Sequence, residues 1–158
     1  MTNNSSNIIN DLFKKLKIVF FVLLAVQFVY FLIAIFIVGK GYLIVLNGWY
    51  ALIYLNIPVY NISSLLGANK LYKRKLAESS KAQSLEIKIQ IYRNANIVRY
   101  LTMWAINVFN ITFFIVQRDY VFAPFIVFII VIYFLYLPQK QKFISEQKLT
   151  AADFAGIR

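Results

Sequence analysis

Residues 18–38 form a run of 21 in which Gln27 is the one strongly polar side chain, and that run limits what the chain can become. As a helix rising 1.5 Å per residue it spans about 31 Å, the thickness of membrane hydrocarbon. A cleaved signal peptide also begins with basic residues and an apolar run, but it is shorter and ends in a small-residue cleavage site, which this run lacks. Three more apolar runs follow, near residues 42–66, 97–116 and 120–137. With 61% apolar side chains in 158 residues, a soluble domain would expose much of that surface to water. The sequence therefore predicts an all-α membrane protein of four transmembrane helices, arranged as two antiparallel hairpins joined by a basic cytoplasmic connector. Its segments are a cytoplasmic tail with an interfacial helix (1–17), a first hairpin (18–66), the connector (67–96), a second hairpin (97–137) and a C-terminal cytoplasmic tail (138–158).

A net charge of +11, from 17 basic and 6 acidic residues, would suggest nucleic acid in a soluble protein. Distribution argues otherwise. Three of the basic residues lie in the N-terminal tail, eight between Lys70 and Arg99, and four from Lys140 onward, leaving Lys40 and Arg118 for the opposite loops. This positive-inside pattern predicts both termini and the connector in the cytoplasm, with anionic lipid as the partner for the charge and no nucleic acid.

Along the chain, the first ten residues read as a loosely ordered polar tail. Residues 11–17 read as an interfacial helix with Leu12, Phe13 and Leu16 on one face. Gly39, Lys40 and Gly41 make the first outer turn. Pro58 has no donor for the Tyr54 carbonyl, which predicts a kink in the second span. Residues 77–93 of the connector read as a separate amphipathic helix. Pro124 sits in the first turn of the last span, where a missing donor costs little. Leu149, Thr150, Ala151, Ala152 and Asp153 suit the start of a short helix, Thr150 capping and Asp153 answering it. Shifting the chain by 78 residues overlays Phe31, Phe36, Ile37, Val38 and Tyr42 on Phe109, Phe114, Ile115, Val116 and Tyr120, the mark of duplicated hairpins in one orientation.

Polar side chains at hydrocarbon depth cost free energy unless they find partners or line water. On the third span Arg99, Met103, Asn107, Asn110 and Gln117 stand at offsets of 4, 8, 11 and 18 residues, within an arc of about 80°. That stripe is expected to face the interior. Asn56, Tyr60, Ser63 and Gly67 form a stripe on the second span, and Gln27, Tyr30 and Ala34 one on the first. Gln27 and Asn107, both near midspan, are expected to come within hydrogen-bonding reach of each other or of a shared partner. Arg99, close to the cytoplasmic end of its span, is expected to snorkel to the headgroups. Tyr42, Trp49, Tyr60, Tyr100, Trp104 and Tyr120 read as interfacial belts. Lys70, Lys73, Arg74 and Lys75 are the connector residues expected to meet lipid headgroups or partner proteins.

The hairpin and basic connector ending Ile91, Tyr92, Arg93, Asn94 and Ala95, followed by a second hairpin, Leu137-Pro138-Gln139-Lys140 and a closing Leu149-Thr150 segment, resemble a family of small four-span bacterial inner-membrane proteins. The resemblance covers most of the chain. It implies a bacterial inner membrane and supplies no activity.

The chain lacks cysteine and histidine, and its six carboxylates fall in tails and loops, so no metal site, cofactor or catalytic group is expected and the chain reads as a non-enzyme. The leading expectation is a non-catalytic accessory or scaffold subunit that docks on other membrane protein subunits. The alternative is a small oligomeric channel or transporter lined by Gln27, Asn56, Asn107 and Asn110.

Overall fold

The computed structural model describes residues 3–39, 49–82, 84–147 and 149. Five helices make up this part of the chain, and it contains no strand: α1 (Asn3–Val38), α2 (Trp49–Ser80), α3 (Leu85–Gln117), α4 (Phe122–Leu135) and α5 (Lys140–Glu146). Two of them, over Asn7–Val38 and Leu85–Gln117, are long and apolar enough to cross a membrane. Lys40, Tyr42, the Asn47-Gly48 pair and the expected cap at Thr150 lie outside the described residues.

The long helices overrun their apolar stretches at one end. At 36 and 33 residues, α1 and α3 measure roughly 54 Å and 50 Å. The expected loose tail is helical from Asn3, and Ile9, Leu12, Phe13 and Leu16 are buried on one face. The expected interfacial helix is thus the first part of α1 itself. Likewise α2 runs unbroken past Pro58 and Gly67 to Ser80.

The separate connector helix does not form. Residues 67–80 extend α2, residues 85–96 extend α3, and the break falls at 81–84. Lys81 and Ala82 close α2 with tight bonds to the Glu78 and Ser79 carbonyls, and the Ser84 side chain accepts from the Ile87 amide at 3.3 Å as the N-cap of α3. Glu86 in the first turn favours that start electrostatically. From there the buried positions Leu85, Lys88, Tyr92, Ala95, Arg99, Met103, Ile106, Asn110 and Phe114 step by three or four, so one face of α3 is enclosed over nearly its whole length.

Helices α1, α2 and α4 all pack on α3. Contacts at matching heights fix their directions. Phe13 meets Tyr92, Phe20 meets Tyr100 and Phe31 meets Phe114, so α1 and α3 run parallel. Asn61 meets Asn110 and Tyr72 meets Tyr92, so α2 runs antiparallel to both. Helix α4 descends from Phe122, beside Tyr54, to Tyr133, beside Phe20. It has 14 residues, about 21 Å, and the chain then turns by 72° into α5. Phe143 on α5 is fully buried against Phe13 and Tyr92, which folds the C-terminal segment under the bundle.

Both parallel helices end alike. Gly39 (φ 56°) and Arg118 (φ 51°) are left-handed, and their amides bond back to Ile35 and Phe114, each at 3.0 Å. The ends correspond at a shift of 79 residues, one more than the sequence overlay. The second halves differ, 32 residues in α2 against 14 in α4.

Candidate functional site

The interior has three storeys. An outer apolar cluster holds Ala34, Tyr54, Ile57, Ile111, Phe114, Phe122 and Ile126, and an inner one holds Leu16, Phe20, Tyr92, Tyr100, Met103, Tyr133 and Phe143. Between them lies a layer of amides. Asn107 Nδ2 donates to Gln27 Oε1 at 2.8 Å, tying α3 to α1, and Asn110 Nδ2 donates to Asn61 Oδ1 at 3.2 Å, tying α3 to α2. All four side chains are at most 2% exposed. Each pair makes one bond, leaving Gln27 Nε2, Asn61 Nδ2, Asn107 Oδ1 and Asn110 Oδ1 without a partner among the described residues.

Asn56 does not join this layer. It is exposed, beside a groove lined by Ile57, Tyr60, Phe109 and Phe113. The buried face of α2 runs through Tyr54, Ile57, Asn61, Ala68, Tyr72 and Ser79, roughly 130° around the helix from the stripe that the sequence suggests. Gln117, the last member of the α3 stripe, is only half-buried.

Because the layer's bonds join separate helices in a closed interior, their removal should register as lost coupling. Asn107→Leu alone is expected to destabilise by about 1–2 kcal/mol, since Gln27 Oε1 loses its donor. Adding Gln27→Leu should recover most of that, giving a coupling of about 0.6–1.7 kcal/mol in thermal unfolding of the detergent-solubilised chain. Additive losses would mean the bond does not hold the helices.

Arg99 departs most from expectation. It does not snorkel. At 3% exposure it sits 14 residues inside α3, its guanidinium 3.7 Å from the Tyr72 ring centroid, 4.3 Å from that of Tyr136 and 6.0 Å from that of Tyr100. Three helical segments meet around one cation. Its Nη2 donates to Asn96 Oδ1 at 2.7 Å, and Asn96 is oriented by donating its own Nδ2 to the Tyr92 carbonyl at 2.9 Å. No carboxylate pairs with Arg99 among the described residues, and Nε has no partner there. Cation–π attraction, worth about 2 kcal/mol when desolvated, takes the place of an ion pair. Tyr100, expected at an interfacial belt, is fully buried in this cage and donates to the Tyr136 carbonyl at 3.1 Å.

The cage is joined to the C-terminal segment. Tyr72 donates to Glu146 at 2.6 Å, and burial holds its phenol protonated, well above the usual range. Ser79 Oγ lies 2.7 Å from Gln147 Oε1 and 3.1 Å from the Lys88 carbonyl oxygen. At the far end Asp119, which the sequence places in a turn, is fully buried. It accepts from Tyr54 and, at 2.9 Å, from the Val121 amide, so it fastens α2 to the start of α4.

Lys70, Lys73, Arg74 and Lys75 are exposed along the C-terminal extension of α2, with Arg74 and Lys75 within 3.6 Å and 3.1 Å of Glu78. Pairs this exposed add little stability. Among the described residues no cluster of acidic side chains is arranged to hold a metal ion. An arginine locked among tyrosines is a fixed positive charge, and paired amides neither donate nor take protons at neutral pH. The arrangement suits holding helices together. Comparison with known protein families, curated proteins and solved structures returns no match in any of the three.

Proposed function

We propose that the chain is a non-catalytic accessory or scaffold subunit of a larger membrane complex. In this reading it crosses a bacterial inner membrane four times, with both termini in the cytoplasm. If α1 and α3 cross in the same direction, the chain between them must return, and α2 is the element that does so. Helix α4, with the apolar residues either side of it, then makes the fourth crossing.

The observation that carries the accessory role is the pairing of the midheight amides across helices, Gln27 with Asn107 and Asn61 with Asn110, between closed aromatic storeys. Polar groups used as interhelical links point to a body that is held rigid and presented to others. The surface it presents at membrane depth is bulky and apolar, as at Phe28, Phe36, Phe128 and Leu135. The cytoplasmic ends form a packed basic head for partner proteins and anionic lipid.

A channel is the second reading, favoured by the four unpartnered amide atoms of the layer, which would take water or an ion. Against it, Phe114 and Ile111 on one side and Met103, Phe20 and Tyr133 on the other are at most 2% exposed, and Asn56 faces away from the layer.

Native electrophoresis in mild detergent, with the chain at its natural abundance, is expected to place it in an assembly well above its own 18.4 kDa. Migration as the free chain would refute the accessory role, and solute flux in liposomes abolished by Asn107→Leu with Asn110→Leu would install the channel. Since the chain has no cysteine, single cysteines report topology cleanly: one at position 81 is expected to label from the cytosol, and one at position 118 is not.

A further inference from the structure

Where α1 passes the break between α4 and α5, a groove of about 640 Å³ is lined by Asn10, Lys14, Lys17 and Lys140, with Phe13, Leu137 and Pro138 among its apolar walls. Two of these lysines stand a turn apart on α1, and the third opens α5, more than 120 residues later. The 72° bend brings them together. No carboxylate lines the groove among the described residues, and Asp11 on the neighbouring turn is tied to Lys15 at 2.7 Å.

We propose that this groove binds the phosphate of an anionic glycerophospholipid. Charge complementarity asks for an anion, because three lysines that line one recess with no carboxylate among them concentrate positive charge there. The surroundings ask for a lipid. The α1 face that carries Lys14 and Lys17 continues toward the membrane through Phe21 and Phe28, 49% and 54% exposed, and beside it α4 exposes Phe134 and Leu135. Phe20 and Phe134 lie 6.4 Å apart, so the two helices form one apolar track leading from the lysines. A phosphate in the groove thus has acyl chains directly below it. Free phosphate makes no use of that track, and a zwitterionic lipid brings its own ammonium group to a cationic recess.

The inference rests on the membrane placement of α1 and α4 and not on the accessory role, so either can fail alone. The test is native mass spectrometry of the full detergent-solubilised chain, titrated with phosphatidylglycerol or phosphatidylcholine of the same acyl chains. Phosphatidylglycerol is expected to bind on the order of 100-fold more tightly, three lysines contributing about fivefold each. Lys14→Gln with Lys17→Gln and Lys140→Gln should erase that preference, the matching triple arginine variant should keep it, and Arg118→Gln, exposed at the opposite end of the bundle, should leave it unchanged. Equal binding of the two lipids, an unaffected glutamine triple, or loss in the arginine triple as well would overturn the proposal. Displacement by millimolar inorganic phosphate would assign the groove to the free ion and overturn it too.

Discussion

Replacing Phe20 with alanine is expected to cost about 3–5 kcal/mol, the range for deleting a large aromatic ring from a packed interior. The ring is fully buried where three helices converge, stacked on Tyr133 with centroids 4.6 Å apart and edge-on to Tyr100 at 5.4 Å. Tyr133 also donates to the Phe20 carbonyl, at 3.4 Å. Helix α4 has few turns with which to hold itself, so this aromatic group is its main attachment to α1 near the C-terminal end of α4. Deleting the ring removes both of these pairings, together with those to Phe21 and Phe134, and leaves a void that the neighbouring rings are too stiff to fill. Phe21→Ala is the control, since its ring is 49% exposed and Phe20 is its aromatic neighbour among the described residues. It should cost less than about 1 kcal/mol. Thermal unfolding in the same detergent distinguishes the two, and equal losses would mean that the aromatic cluster does not attach α4.

The sequence shows the interior face of α3 because spacing alone determines it. Residues that recur every three or four positions share a side whatever they touch, and the pairing of Gln27 with Asn107 follows from each lying midway along its apolar run. On α2 the same reasoning has two stripes to choose from. Asn56 and Asn61 are five residues apart and point in different directions, and only the packing of Ile57 and Tyr72 against α3 selects Asn61. The break at 81–84 carries no glycine or proline, and its one signal is Ser84 ahead of Glu86. Arg99 escapes the sequence for a different reason. Hydropathy counts depth from where the charges stop, but α3 begins at Leu85, and the two rings closest to Arg99 come from α2 and from beyond α4. Nothing local to Arg99 announces Tyr72 or Tyr136. Asp119 is similar, its burial depending on Tyr54 from another helix.

Truncating Arg99 to alanine is expected to destabilise the chain by about 3 kcal/mol, from two close cation–π contacts, the bond to Asn96 and the packing of a long side chain. The physical question is whether the charge or the packing matters more. A buried cation with no carboxylate partner among the described residues carries a desolvation cost that aromatic faces only partly offset, so an apolar side chain of similar length removes that cost and retains the contacts. Arg99→Met is therefore expected to lie within about 1 kcal/mol of the parent chain. Arg99→Lys should be worse than methionine, because a compact, strongly hydrated ammonium cannot stack between Tyr72 and Tyr136 and keeps the desolvation cost. Thermal unfolding gives the order, and near-ultraviolet circular dichroism reports whether the tyrosine cage stays ordered. If methionine proves as damaging as alanine while lysine is tolerated, the positive charge itself holds Tyr72, Asn96 and the C-terminal segment in place, and the packing account of the cage fails.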